Sequence, residues 1–285
     1  MLTDHKIAFI GSGVMAEAMI TGLLRQGITT PDLIMASGPR PERGEQLTQK
    51  YAIRSTAENA EAAVGAGVVV LSVKPQIVPL VLPELQGKID AEALVLSIVA
   101  GQRIKKIADG LGHQAVVRSM PNTPAQIGEG ITVWTASQDV SEGQRAQAQT
   151  LLQALGQEVY AEDEDSLDMA TALSGTGPAY VFLFMEAMVD AGVHLGFSRR
   201  VAEQLVVQTV KGSVDFYNYS PQHLARLRNQ VTSPGGTSAE ALYYLEKAGF
   251  RTALSRAIWA AYNRSAALGS GAKRGHIPEN GEGMK

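Results

Sequence analysis

Short apolar runs and amphipathic stretches alternate along the first half of the chain. Residues 7–10, 32–36, 68–72, 94–99 and 115–119 are brief and rich in Val, Ile and Leu, the composition of strands. Residues 14–26, 43–51, 56–63 and 103–110 lie between them with helical spacing. Strands that are apolar on both faces belong to a parallel sheet covered on each side. The alternation predicts a doubly wound α/β domain. Two further strands, at 131–135 and 158–160, flank a helix at 142–154.

After residue 162 the pattern changes. An acidic run, 162–165, suits the positive start of a helix, and no strand follows it. Helices are predicted at 178–196, 199–217, 221–229, 237–247 and 251–267, with breaks at Gly196, at Pro221 and in the 233–236 turn. Residues 181–185 and 257–262 are apolar over more than one helical face, so they must be buried from several directions. An intertwined homodimer meets that need. The expected division is an α/β domain over 1–162 and an all-α domain over 163–268. The Gly-rich, charged stretch 269–285 is expected to be a disordered tail.

Composition narrows the chemistry. The 285 residues fit two domains. With 25 basic against 28 acidic residues, a net charge of -3 and no basic block, a nucleic-acid surface is not expected. Cysteine is absent, which removes disulfides, thiol catalysis and cysteine-held zinc. Neither His pairs nor carboxylates recur at ligand spacing, so no metal is expected. No stretch approaches the roughly 18 apolar residues of a membrane span, and the start of the chain does not resemble a targeting segment. A soluble, cytoplasmic protein without membrane or nucleic-acid partners is the expectation.

The glycines carry the first candidate site. Ile10, Gly11, Ser12, Gly13, Val14 and Met15 lead from a strand into a helix, and with Ala16 they complete the spacing G-x-G-x-x-A. Gly11 allows the tight turn, Gly13 lets a pyrophosphate approach the backbone, and Ala16 lets helix and strand pack closely. An NAD-binding fold of this kind usually places a carboxylate about 20 residues on, at the end of the second strand. Here Ser37, Gly38 and Arg40 stand there, followed by Arg43. The pair of arginines either meets a 2′-phosphate, favouring NADPH over NADH, or sits solvated at a helix start. Ser72, Val73, Lys74 and Pro75 close another strand, and Ile98, Val99 and Ala100 a further one, in the position where open α/β sheets bind ligands. Asn122 and Thr123, between two prolines, either contact a ligand or cap a turn.

Two glycine-proline motifs mark the helical half. Leu173 to Tyr180 reads LSGTGPAY, with Pro178 in a first helical turn and Thr176 or Gly177 as its cap. Val231 to Glu246 reads VTSPGGTSAEALYYLE. Within it, Thr237 and Glu240 have the spacing of a capping box. The same turn could seat a small carboxylate on free backbone N–H groups.

These phrases, with FIGSGVMAEAM near the start, SVKPQ at 72–76 and RSMPNTPA at 118–125, resemble pyrroline-5-carboxylate reductases, enzymes that make L-proline. The resemblance runs from Lys6 to Leu268, with five motifs in order. It implies a Rossmann-type N-terminal domain followed by an all-α dimerisation domain, with dimers assembling further into rings. By position it sets the pyrophosphate on Gly11 to Met15, the 2′-phosphate near Ser37, Gly38 and Arg40, and the adenosine beside Asn59. It puts Ser72 to Pro75 and Ile98 to Ala100 along the ribose and nicotinamide. The substrate carboxylate would rest on Ser233, Gly235, Gly236, Thr237 and Ser238 of the partner subunit, with Glu164 near the same site. Many members of the family carry threonine where this chain has Ser238. That hydroxyl is proposed to hydrogen-bond the ring nitrogen, a role open here to Ser238 or Thr237.

The implied reaction is hydride transfer from NADPH, with NADH also accepted, to the C=N carbon of the cyclic imine. A protonated imine is strongly electrophilic, so a motif set without histidine suits it. Two other readings stand beside this one. A 3-hydroxyacid dehydrogenase shares the plan but wants a lysine in the first long helix of the second domain, where 178–196 has none. A cofactor-sensing regulatory protein would need the glycine turn but not the 233–238 loop.

Overall fold

The computed structural model describes residues 5–269. Eight strands form one sheet: β1 (Ile7–Ile10), β2 (Ile34–Ser37), β3 (Arg54–Thr56), β4 (Val68–Leu71), β5 (Leu94–Ser97), β6 (Val116–Met120), β7 (Gly130–Ala136) and β8 (Gly156–Tyr160). Their order is β3-β2-β1-β4-β5-β6-β7-β8. Every residue of β1, β2, β4 and β5 is buried, because helices cover both sides. Ile7 and Phe9 of β1 face α1 (Val14–Arg25), α2 (Pro41–Tyr51) and α6 (Glu142–Gln153), packing with Leu23, Leu47 and Leu152. Ala8 and Ile10 face the other way, toward α3 (Asn59–Ala63), α4 (Val78–Leu85) and α5 (Ile104–Leu111), packing with Ala63, Leu82 and Leu111. The strand period of two thus feeds two separate cores. Each large side chain so buried contributes about 1.5–3 kcal/mol.

The structure departs from the sequence expectations at identifiable places. Residues 31–33 form a 3-10 turn, so β2 starts at Ile34 and not at Asp32. The stretch 56–63, expected as one helix, is divided: Thr56 ends strand β3 and the helix begins at Asn59. β3 has no sequence signal because it is a polar edge of three residues, Arg54, Ser55 and Thr56. Helix α4 forms although Pro79 lies in its first turn and Pro83 inside it. Four buried side chains, Val78, Val81, Leu82 and Leu85, outweigh the lost backbone bond. β7 runs antiparallel to β6, since the link between them is shorter than the dozen or so residues a parallel crossover needs.

By contact, the chain forms two compact units: one through Thr176 together with the segment from Ala260, the other Gly177–Trp259. The change from strands to helices near residue 162 and the division into units are therefore different boundaries. Two short helical turns, α7 (Ser166–Ala170) and a π-turn at Thr171–Gly175, belong to the first unit. Thr176 donates its hydroxyl to the Thr171 carbonyl (2.8 Å), so it does not cap the helix that follows. Gly269 is the last residue of a helix; the rest of the expected tail, 270–285, lies outside the described residues.

The second unit holds α8 (Gly177–His194), α9 (Arg199–Tyr219), α10 (Leu224–Gln230), α11 (Thr237–Lys247) and the first half of α12 (Phe250–Gly269). Its buried apolar cluster is small: Val189, Ala202 and Val206, with Met185, Met188, Val193 and Val210 partly buried against it. Phe182 and Leu183 are 63% and 66% exposed. Leu242, Leu245, Phe250, Leu254, Ile258 and Trp259 line an open groove. By length and composition alone, the run Ser166–His194 is apolar enough to cross a membrane. Three buried side chains cannot offset the ordering of some eighty residues, so this unit needs apolar surface from another chain. Replacing Phe182 and Leu183 together by Asp should convert the protein to slower-sedimenting single chains, read by analytical ultracentrifugation at micromolar concentration.

Candidate active site

The strand order reverses between β1 and β4, and open α/β sheets bind ligands in the crevice at such a point. Ile10 pairs in register with both Ser37 and Leu71, so β1, β2 and β4 end level. Gly11 turns there with φ +104°, and a Cβ on it would lie 2.9 Å from the Ser72 carbonyl and the Val73 nitrogen. No other residue fits. Ser72 locks the approach by donating its hydroxyl to the carbonyls of Gly11 (2.7 Å) and Ile10 (3.1 Å). Gly11 N–H in turn bonds the Ser37 carbonyl (3.1 Å), and Ile98 N–H bonds the Leu71 carbonyl (3.0 Å). The predicted cofactor residues Ile10 to Met15, Ser37, Gly38, Ser72, Val73 and Ile98 to Ala100 are thereby gathered at one sheet edge.

Gly13 precedes α1 as its N-cap, with no side-chain cap on the first amides. A Cβ at Gly13 would meet nothing within 4 Å. Uncapped N–H groups facing open space suit an anionic pyrophosphate, so the residues present fit a dinucleotide. The Arg40 and Lys74 side chains are exposed and make no hydrogen bond or ion pair among the described residues. Both are thus available to phosphate.

Arg43 is not. It donates Nε–H to the Ser12 carbonyl (2.9 Å) and pairs with Glu17. Glu17 also accepts from Lys50 (3.0 Å) and Tyr51 (2.8 Å). Burial alone would raise the Glu17 carboxyl, but the hydrogen bonds from Arg43, Lys50 and Tyr51 outweigh it and bring the pKa down to about 2 from 4.5. Glu17 sits in the first turn of α1, a position that sequence reasoning passed over. Its spacing from Gly13, one turn on, was the available signal.

At the end of β2 the side chains of Ser37 and Asn59 meet. Ser37 is fully buried and donates its hydroxyl to Asn59 Oδ1 (2.7 Å) and the Phe9 carbonyl (3.3 Å). Its side chain therefore orients Asn59 and does not itself face a ligand. Asn59 Nδ2 donates to Glu84 Oε2 (2.7 Å), a partner the sequence did not suggest. Asn122 accepts from Ile131 N–H (3.0 Å), so the turn-holding role describes it.

Glu164 belongs to a charged cluster below β6. It accepts from the Ile104 N–H at the start of α5 (2.8 Å) and from Arg118 (2.9 Å). Arg118 also reaches Asp168 (3.2 Å), which accepts from the Ser265 hydroxyl of α12 (2.8 Å). Arg103 adds an ion pair to Asp165 and a 3.6 Å contact to Asp168. Arg118, Asp168 and Ser265 are all buried, and each has partners, as a buried charge requires. An arginine inside the strand VVRSM was the sequence signal for this cluster.

In the second unit, Gly235 takes φ +70° and Gly236 N–H bonds the Ser233 carbonyl (3.1 Å). Gly236, and not Thr237, is the N-cap of α11, and no side chain caps the helix. The capping box expected at Thr237 and Glu240 is therefore not formed. Thr237 and Ser238 occupy the first two helical positions, and neither hydroxyl has a partner among the described residues. Two free hydroxyls beside uncapped amides make a seat for a small carboxylate carrying a polar neighbour.

A doubly wound sheet with an uncapped glycine turn at its switch point, joined to a helical unit whose own core is small, defines a dimeric nicotinamide-dinucleotide oxidoreductase. The pattern described as pyrroline-5-carboxylate reductase dimerisation matches residues 164–268. One described as NADP oxidoreductase, coenzyme F420-dependent, matches residues 6–101. The chain belongs to the pyrroline-5-carboxylate reductase family. It is 42% identical to the pyrroline-5-carboxylate reductase of Pseudomonas aeruginosa, over 94% of this chain and 98% of that one. With the Synechocystis enzyme of the same name it shares 40% identity, over 93% and 98%. Among solved structures, the pyrroline-5-carboxylate reductase of Coxiella burnetii superposes with TM-score 0.85 at 35% identity, covering 95% of this chain and 99% of that one. The Plasmodium falciparum pyrroline carboxylate reductase with NADP bound also gives 0.85, at 33% identity over 93% and 98%.

The Glu17 cluster makes stability depend on acid. A carboxyl depressed in the folded protein stabilises it above pH 4.5 and loses that contribution as pH falls toward 2. Glu17→Gln should lower stability near pH 7 by about 2 kcal/mol, Lys50 being too exposed to add its full share. It should also flatten the dependence between pH 4.5 and 2, both read from urea melts across that range.

Proposed function

We propose that the protein reduces 1-pyrroline-5-carboxylate to L-proline and prefers NADPH to NADH. The observation that carries the substrate side is the uncapped start of α11, where the Thr237 and Ser238 hydroxyls have no partner among the described residues. The cofactor side is supported by Arg40, exposed and with no ion pair among the described residues, just after β2 where NAD-selective folds place a carboxylate.

In this reading the amides from Gly11 to Met15 hold the pyrophosphate, Arg40 pairs with the 2′-phosphate beside Gly38, and Lys74 adds positive charge at the crevice. Ile98, Val99 and Ala100 supply a small, apolar wall that excludes water from the nicotinamide. The bound cofactor supplies the hydride. Ser233, Gly235 and Gly236 shape the turn that presents the α11 amides to the substrate carboxylate. Ser238, with Thr237 beside it, orients the ring nitrogen by a hydrogen bond. The imine carbon receives the electron pair, and the nitrogen, already protonated, becomes the amine. Since an iminium carbon is strongly electrophilic, orientation supplies most of the rate and no strong acid is required. Glu164, held by Arg118 and the start of α5, stands near the substrate in this reading. Assembly of the dimers into a ring and residence in the cytoplasm, where both reactants are soluble, complete the reading.

A steady-state assay with the cyclic imine and each nicotinamide cofactor tests it directly; no oxidation of either cofactor would remove the proposal. Ser238→Ala should cut kcat about 10–100-fold while the NADPH Kd stays within about twofold of the natural value. Arg40→Ala should weaken NADPH binding about tenfold and leave NADH binding nearly unchanged, measured by nicotinamide fluorescence.

A further inference from the structure

The adenosine end of the crevice carries a carboxylate that the chain order hides. Position 37, where an NAD-selective fold puts its acidic residue, is a serine. Yet Glu84 of α4 brings a carboxylate to 2.7 Å from Asn59 Nδ2, and Asn59 Oδ1 lies 2.7 Å from the Ser37 hydroxyl. The direction of this relay is fixed by chemistry. A carboxylate only accepts, so the Asn59 amide must turn its NH2 to Glu84 and its carbonyl to Ser37. Ser37 is fully buried and sits at the end of β2, so the relay cannot drift from the crevice. Glu84 itself is exposed on α4 and has no cation paired with it among the described residues.

We propose that Glu84 is a specificity-determining residue that opposes Arg40 and holds the preference for NADPH below what Arg40 alone would give. A 2′-phosphate carries close to two negative charges near pH 7, whereas a ribose hydroxyl carries none. A fixed negative charge at this end of the crevice therefore acts on one nucleotide and not on the other. Through partly hydrated surroundings the effect is moderate and is screened by salt. The Asn59 hydrogen bond ties the Glu84 carboxylate to the Ser37 end of β2, which keeps its charge at this end of the crevice.

Glu84→Gln tests the charge without disturbing the relay, because a glutamine carbonyl still accepts from Asn59 Nδ2. The inference rests on the cofactor reading above, so NADPH and NADH binding are measured directly by fluorescence titration in the absence of substrate. At low ionic strength the variant should bind NADPH roughly fivefold more tightly, with the NADH Kd unchanged within about twofold. The gain should largely vanish at about 1 M salt. Equal changes for both nucleotides, no change for either, weaker NADPH binding, or a gain that survives salt would each overturn the role of Glu84 while leaving the cofactor reading intact. Failure of the natural protein to bind either nucleotide would overturn both.

Discussion

The site depends on one close approach of two backbones. At the end of β1 the chain passes so near the Ser72 carbonyl that only a residue without a Cβ can stand at position 11. That contact closes the switch point of the sheet and sets the height at which α1 begins. The Ser72 hydroxyl, bonded to the carbonyls of Ile10 and Gly11, turns a steric fit into a hydrogen-bonded lock. Arg43 secures the next residue by way of the Ser12 carbonyl. The turn is thus held by the chain's own bonds, and its amides need not be ordered at the expense of binding energy.

The helical unit follows the opposite strategy. Its elements are long and well formed, but their apolar faces converge on very little within the same chain. A helix in such a unit is stable only in company. The family pattern over 164–268 is one of dimerisation, which accounts for side chains such as Phe182 and Leu183 that a monomer would not leave in water. The self-sufficient part of the molecule carries the glycine turn at the switch point. The part that needs a second chain carries the hydroxyl-bearing turn.

Much of this was legible in the sequence because the informative residues act locally. Strands β1, β4 and β5 were readable as unbroken apolar runs, and the turn at Gly11 from its glycine spacing. What escaped reading was decided by distant partners. β3 is polar and gains its place only by pairing with β2. α4 looks broken by prolines and is held by burial. That Ser37 and Asn59 bond one another, with Glu84 behind them, spans three elements. Thr237 has the spacing of a cap, yet the cap position falls one residue earlier, on Gly236. That shift leaves a hydroxyl free which the local pattern would have consumed.

The bond from Ser265 to Asp168 joins residues 97 positions apart, and the chain between them includes the whole second unit. In topological terms the helical unit is an insertion, entered through α7 and left through α12, with both ends fastened to the same buried charge cluster. Closing so long a loop costs little more than closing one half its length. The fastening therefore makes the dinucleotide-binding unit whole across the excursion. A cut anywhere within the inserted helices would leave that unit as two pieces already bound together, much as a circularly permuted domain keeps its fold when its ends are moved elsewhere.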